Sequence, residues 1–200
     1  MDAKESRLPR KIACQDGTEV EIKILHKNDI PALKDLYRAL GAADRALLRE
    51  DVLNEHYDKR LANQIEDENI YRIVAWQKGE IFASLTMVRG FARWRRHTCE
   101  LRSVVHPHHR RLGIASNLLE EAIFHADSLG IEKLYINLQP EQIEAIKMAE
   151  TLGFRMEASL KHHVKDSFGT YHDIHFYSMD LEAAQKAMGE LMHKIDGFSE

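Results

Sequence analysis

Six consecutive residues, Arg110, Arg111, Leu112, Gly113, Ile114 and Ala115, combine types that can hold an anion. A glycine and a small residue two positions later let a ligand approach the backbone, and two arginines supply charge at the rim. What flanks them sets their chemical worth. Upstream, an apolar run ends at Pro107; downstream, Ala115, Leu118, Leu119, Ala122, Ile123 and Ala126 recur at helical spacing until Gly130. The segment therefore joins a strand to a helix expected to start at Leu112. Unpaired N–H groups and the positive end of the helix dipole converge there, which suits a diphosphate. By itself the pattern also fits a tight strand-to-helix turn with solvated arginines, because six loosely fixed positions recur by chance.

Other chemistries lack their residues. The sequence has no GxxxxGK(S/T) phosphate loop, no GxGxxG, no GxSxG, no HExxH and no CxxC. Twelve histidines raise the question of a metal. His172 and His175 stand an odd number apart in a strand-like run, as do His162 and His163, so each pair points to opposite faces. His106, His108 and His109 surround Pro107 in a loop and read as solvated residues, with a stray metal ion as the alternative, and no metal is expected. Arg89, Arg93, Arg95 and Arg96, interleaved with Phe91 and Trp94, read as an exposed hairpin loop, with attraction for an acidic acceptor, a phosphate or RNA as the alternative.

The elements that must position this turn follow from periodicity. Residues 18–25 alternate with period two and form the first expected strand; Asn28 or Asp29 caps a helix whose apolar face is Ile30, Leu33, Leu36, Tyr37 and Leu40. Residues 44–66 read as one or two short helices. Strands are expected over 70–77 and 80–88, joined by Lys78-Gly79, and over 97–105. The helix after Leu112 is followed by a strand over 132–138, which makes a βαβ unit and hence a parallel pair. A helix over 141–152 and a hairpin of strands over 154–165 and 171–181 complete the sheet. Leu181, Ala184, Met188, Leu191, Met192 and Ile195 then mark an amphipathic helix that packs back on the body, serves as a homodimer contact or docks a partner.

Composition narrows the class further. Two hundred residues with 44% apolar and 30% charged content suit one packed domain, and no apolar run reaches the roughly 20 residues of a membrane helix. Lys plus Arg number 28 against 32 for Asp plus Glu, so a nucleic-acid partner is not expected. Cys14 and Cys99 cannot form a disulfide framework, and the polar N-terminus lacks an export core; the expected location is cytoplasmic.

Two segments carry a family resemblance. ELRSVVHPHHRRLGIASNLL, residues 100–119, resembles the central motif of the GNAT superfamily of acyl-CoA-dependent N-acetyltransferases, in which Gln/Arg-x-x-Gly-x-Gly/Ala follows a strand ending in Val-x-Pro. QIEAIKMAETLGF, residues 142–154, resembles the second motif, with Ala145-Ile146 and Gly153-Phe154 in register. The resemblance runs over residues 18–181. It implies an α/β domain with a mixed, mainly antiparallel central sheet flanked by helices, and a parallel pair at a cofactor slot. Residues 1–17 are then an N-terminal extension and residues 182–200 a C-terminal helical extension.

The resemblance further implies acetyl-CoA as co-substrate. Backbone groups of Ser103, Val104 and Val105 would pair with the pantetheine arm, and Arg110, Arg111, Leu112, Gly113, Ile114, Ala115 and Ser116 would surround the pyrophosphate, with Asn137 and Gln142 as further hydrogen-bonding partners. An alkyl amine with a pKa near 10.4 needs about 4.6 kcal/mol to present its neutral form at pH 7, so a base or a desolvated slot must help. Glu100 is the candidate base; the competing reading is that it only pairs with Arg102 two residues away on the same sheet face. Where many relatives carry a tyrosine that protonates the leaving thiolate, this chain has Ala149, which leaves Tyr135, water or no acid. The expected activity is acetyl transfer to an amine, on a protein lysine or N-terminus, a polyamine, an amino acid or an aminoglycoside. The alternative is a non-catalytic acyl-CoA-binding module.

Overall fold

The computed structural model describes residues 7–184. Eight strands form one sheet: β1 (Arg10–Ala13), β2 (Glu19–Ile24), β3 (Ile70–Gln77), β4 (Glu80–Arg89), β5 (Thr98–Val105), β6 (Lys133–Leu138), β7 (Arg155–Lys165) and β8 (Tyr171–Asp180). Their spatial order is β1-β2-β3-β4-β5-β6-β8-β7, and every neighbouring pair is antiparallel except β5 and β6. The helices are α1 (Ile30–Ala39), α2 (Ala42–Ala46), α3 (Tyr57–Glu66), α4 (Ile114–Ser128) and α5 (Ile143–Thr151). This is the mixed, mainly antiparallel α/β architecture with one parallel pair that the sequence implies.

Two features depart from the sequence reading, and a third expectation falls mostly outside the described residues. Residues 10–13, assigned by sequence to a charged extension, are an edge strand on β2, with Ile12 buried, Lys11 exposed and Arg10 donating to the buried Glu121 of α4 at 2.7 Å. A four-residue strand with one buried side chain shows too little alternation to be seen. Helix α4 begins at Ile114 rather than Leu112, because Gly113 takes the left-handed conformation at its N-cap. The amphipathic helix expected over 182–200 lies, apart from residues 182–184, outside the described residues.

Both faces of the central strands are covered. Along β3, Ile73 and Ala75 face one apolar cluster, which includes Leu118 and Ala122 of α4; Val74 between them faces a second, with Leu33 and Leu36 of α1 and Leu61 of α3. Period-two geometry sends consecutive side chains to opposite faces, so an unbroken apolar run is needed where both faces are dry. Leu118 is 0% exposed at the centre of the first cluster. Leu118→Ala is therefore expected to lower unfolding free energy by about 2–5 kcal/mol in urea denaturation. Among the described residues no helix is long and apolar enough to cross a membrane.

Helix α4 also carries a pH-sensitive group. His125 stacks on Tyr71 of β3 with ring centroids 4.0 Å apart. Burial lowers its pKa below 6.5, with the charge of Glu121 opposing. The unfolded chain takes up this proton at a higher pH than the folded protein, so stability is full above about 6.5 and declines as pH falls below it. Urea midpoints measured at about pH 7.5 and about pH 5.5 are expected to differ less in His125→Phe than in the wild-type protein.

Candidate active site

The sheet opens at β5 and β6. Their parallel register consists of Thr98 with Lys133, Cys99 with Leu134 and Glu100 with Tyr135, and goes no further. Beyond that point β5 keeps only β4, with Leu85 opposite Ser103, Ser84 opposite Val104 and Ala83 opposite Val105. Over the same stretch β6 keeps only β8, from Ile136 opposite Tyr177 to Leu138 opposite His175. The edges of residues 101–105 and 136–138 that face each other are thus left without a strand between them. An extended ligand with amide groups can hydrogen-bond there as an added strand does. Ser103, Val104 and Val105 lie on this opened edge.

The turn that the sequence reads as an anion site follows the end of the opened strand. After Val105 the chain makes a 3-10 turn over Pro107–His109, passes Arg111 with φ 60° and reaches Gly113 with φ 79°. The first intrahelical bond of α4 runs from the Asn117 N–H to the Gly113 carbonyl. The N–H groups of Gly113, Ile114, Ala115 and Ser116 therefore precede any helical acceptor and carry the partial positive charge of the helix start. These four lie within residues 110–116, which the resemblance sets around a pyrophosphate. Arg110 instead donates to Asp44 of α2 at 2.5 Å, and the Leu112 carbonyl accepts from the Gln15 N–H at 3.1 Å. Arg111 is exposed at the rim.

Glu100 stands at the last parallel pair, where the strands part, and is 4% exposed. A buried carboxylate must be matched by donors, and here there are three. Asn137 Nδ2 donates to Oε1 at 3.0 Å, Arg102 donates to Oε2 at 2.8 Å, and Arg49 forms a short ion pair with Oε1. The Arg102 pair is the one that spacing on a single strand anticipates. Arg49 comes from the turn between α2 and α3, with its side chain 48% exposed, and was invisible to sequence reasoning because only the fold brings residues 49 and 100 together. Burial lowers the Arg49 pKa and Glu100 opposes that shift; the guanidinium stays charged. Asn137 is turned towards Glu100, so its amide positions the carboxylate. Gln142 caps the loop before α5, its Oε1 accepting from the Gln139 N–H at 2.8 Å.

The β4–β5 loop lies at the paired end of β5 and β6 and reaches Tyr135. Phe91 and Trp94 are exposed, as expected for a hairpin loop, but Arg95 is not simply solvated: it donates to the Tyr135 hydroxyl at 2.9 Å. The loop histidines also depart from expectation. His106 and His109 are half-buried, and His109 lies flat on Phe82.

The family model for the acetyltransferase (GNAT) family matches residues 33–154, a span that includes the opened strands, the Gly113 turn and α5. The chain belongs to the GNAT acetyltransferase family. No protein with a curated description matches the sequence. Solved structures share the fold at low identity. An N-acetyltransferase from Staphylococcus aureus Mu50 is 20% identical with a TM-score of 0.69, the match covering 82% of this chain and 99% of that one. The GNAT domain of S. lividans PAT is 18% identical with a TM-score of 0.70, covering 86% and 96%. The yncA protein of Salmonella typhimurium, described as an acetyltransferase and solved with its cofactor acetyl-CoA, is 24% identical with a TM-score of 0.66, covering 81% and 94%.

Within this GNAT domain the residue that the resemblance sets at the acid position is buried. Ala149 of α5 is 1% exposed and packs in the main core. Tyr135, opposite Glu100 in the last parallel pair, carries a hydroxyl. Burial first, and then the charge of Glu100, raise the Tyr135 pKa above the ordinary phenol value, so this hydroxyl holds its proton at neutral pH.

Proposed function

We propose that the protein is an N-acetyltransferase that moves an acetyl group from acetyl-CoA to an amine by direct attack. The observation that carries this reading is the placement of Glu100 at the apex of the opening between β5 and β6, next to a helix start able to hold a diphosphate. The pantetheine arm pairs with the free edge of residues 103–105, and the amides of residues 113–116 face the pyrophosphate. The amine nitrogen forms a bond to the thioester carbonyl carbon. The carbon–sulfur bond then breaks, and CoA leaves as a thiolate or takes a proton from Tyr135 or water. The proton shed by the amine passes to Glu100, directly or through water.

A second reading, an acyl-CoA-binding module without turnover, draws on two features: Ala149 in place of a hydroxyl, and a carboxylate already held by two arginines. Release of free CoA from acetyl-CoA, followed with a thiol reagent across a panel of amines, separates the two. Sustained amine-dependent release supports the transferase. Tight binding with no release above the rate without amine supports the module. The acceptor reaches Glu100 past Arg49, Arg102 and Arg95, so residues 47–56 and the β4–β5 loop are where its identity is decided.

A further inference from the structure

A second cluster lies at the far end of β5, on the approach to the Gly113 turn. His106 follows the last residue of β5, and its N–H donates to the Phe82 carbonyl at 2.8 Å, which extends the ladder by one residue. Phe82 is the extra residue of a β-bulge, since Ala75 faces Ala83 while the next residue, Trp76, faces Ile81. Pro107 then starts a 3-10 turn closed by the His109 N–H on the His106 carbonyl at 2.9 Å. Such a turn has three residues per revolution, so side chains 106 and 109 stand over one another; their ring centroids are 5.1 Å apart. The His109 ring is held parallel to Phe82 at 3.5 Å, 7° from coplanar. Glu80, at the start of β4, brings Oε1 to 3.2 Å from His109 Nε2.

We propose that Glu80, His106 and His109 form a binding site for a divalent transition metal ion, zinc being the probe. One ligand-capable atom from each residue lies within 4.8 Å of the other two. Zinc bonds of about 2.0–2.2 Å to nitrogen and oxygen give a tetrahedral edge of about 3.3 Å. The His109–Glu80 separation of 3.2 Å already has that length, and a small rotation of His106 closes the triangle. Two imidazoles and one carboxylate leave a fourth position open. A cavity of about 230 Å³, lined by Asp35, Gly79, Glu80, Ile81 and His106, opens beside it and has room for water. The sequence reading applied period two to the strand histidines and took these loop histidines as solvated; the pair lies in a 3-10 turn, and its third ligand is 26 residues before His106, at the start of β4.

The ion would tie the start of β4 to the loop that carries the Gly113 amides. The site stands apart from the transferase chemistry, so its test needs no acetyl-CoA. Chelator-dialysed full-length protein titrated with zinc chloride in a calorimeter is expected to bind one equivalent with a dissociation constant below about 10 µM. Glu80→Gln, His106→Gln and His109→Gln each weaken binding at least about tenfold, and His108→Gln leaves it unchanged. Magnesium chloride gives no heat, because two imidazoles suit a softer ion. Glu80 is exposed, so its variant stays folded even if a histidine variant does not; far-UV circular dichroism checks each. Absence of zinc binding, or equal binding by wild type and Glu80→Gln, overturns the assignment. Equal loss in His108→Gln does so as well, since that pattern belongs to a loose histidine patch.

Discussion

Gly113→Glu is expected to lower acetyl-CoA affinity by at least about a hundredfold, roughly 2.7 kcal/mol. Gly113 is the N-cap of α4, with its amide among the four that precede the first helical acceptor. A carboxylate placed there stands within a few ångströms of where the diphosphate would sit. Two like charges about 4 Å apart near a protein surface repel by about 4 kcal/mol, enough to account for the loss. Crowding within the protein is not the cause. A Cβ at position 113 would meet only the Gln15 side chain, at 3.7 and 3.8 Å, which is ordinary contact. What any side chain there must bear is φ 79°, a left-handed conformation costing about 1–2 kcal/mol. Gly113→Ala thus serves as the control: it loses that much stability in urea yet keeps affinity within a few-fold. Calorimetry with acetyl-CoA or desulfo-CoA reads both variants. Undiminished affinity in Gly113→Glu would remove the helix start from the binding site.

The second large effect is on turnover. Glu100→Gln keeps the size and much of the hydrogen bonding of the side chain but cannot accept the amine's proton, so kcat is expected to fall about 10²–10⁴-fold. The KM for acetyl-CoA should change little, because the cofactor edge lies further along β5. The fold should persist. Arg49 and Arg102 lose a charged partner, but their side chains are 48% and 35% exposed and water can solvate them. Steady-state CoA release with the best amine of a panel measures kcat, and thermal melting measures the fold. Unchanged turnover with normal melting assigns Glu100 to the arginine network alone.

Much of this site is written in short-range patterns. Gly113, the apolar spacing from Ala115 to Ala126 and the strand ending before Pro107 place a helix start after a strand, and the structure puts α4 at Ile114–Ser128. The hairpin over Lys78-Gly79 and the strand Ile70–Gln77 are likewise legible, because turn chemistry and side-chain periodicity act between near neighbours. The edge strand Arg10–Ala13 was not, since its sole buried residue, Ile12, makes no pattern until β2 lies beside it.

The environment of each functional group is another matter. Nothing in the order of residues joins Arg49 to Glu100, Arg95 to Tyr135 or Glu80 to His109; these contacts arise where loops from distant parts of the chain meet the ends of the central strands. The sequence by itself determined most of the strands and helices and the place where a helix starts after a strand, because those depend on local backbone geometry. Only the tertiary structure decided that β5 and β6 part after Glu100, and that Glu100 is held by Arg49, Arg102 and Asn137. Strand separation and charge pairing across the sheet are set by packing between elements far apart in the chain.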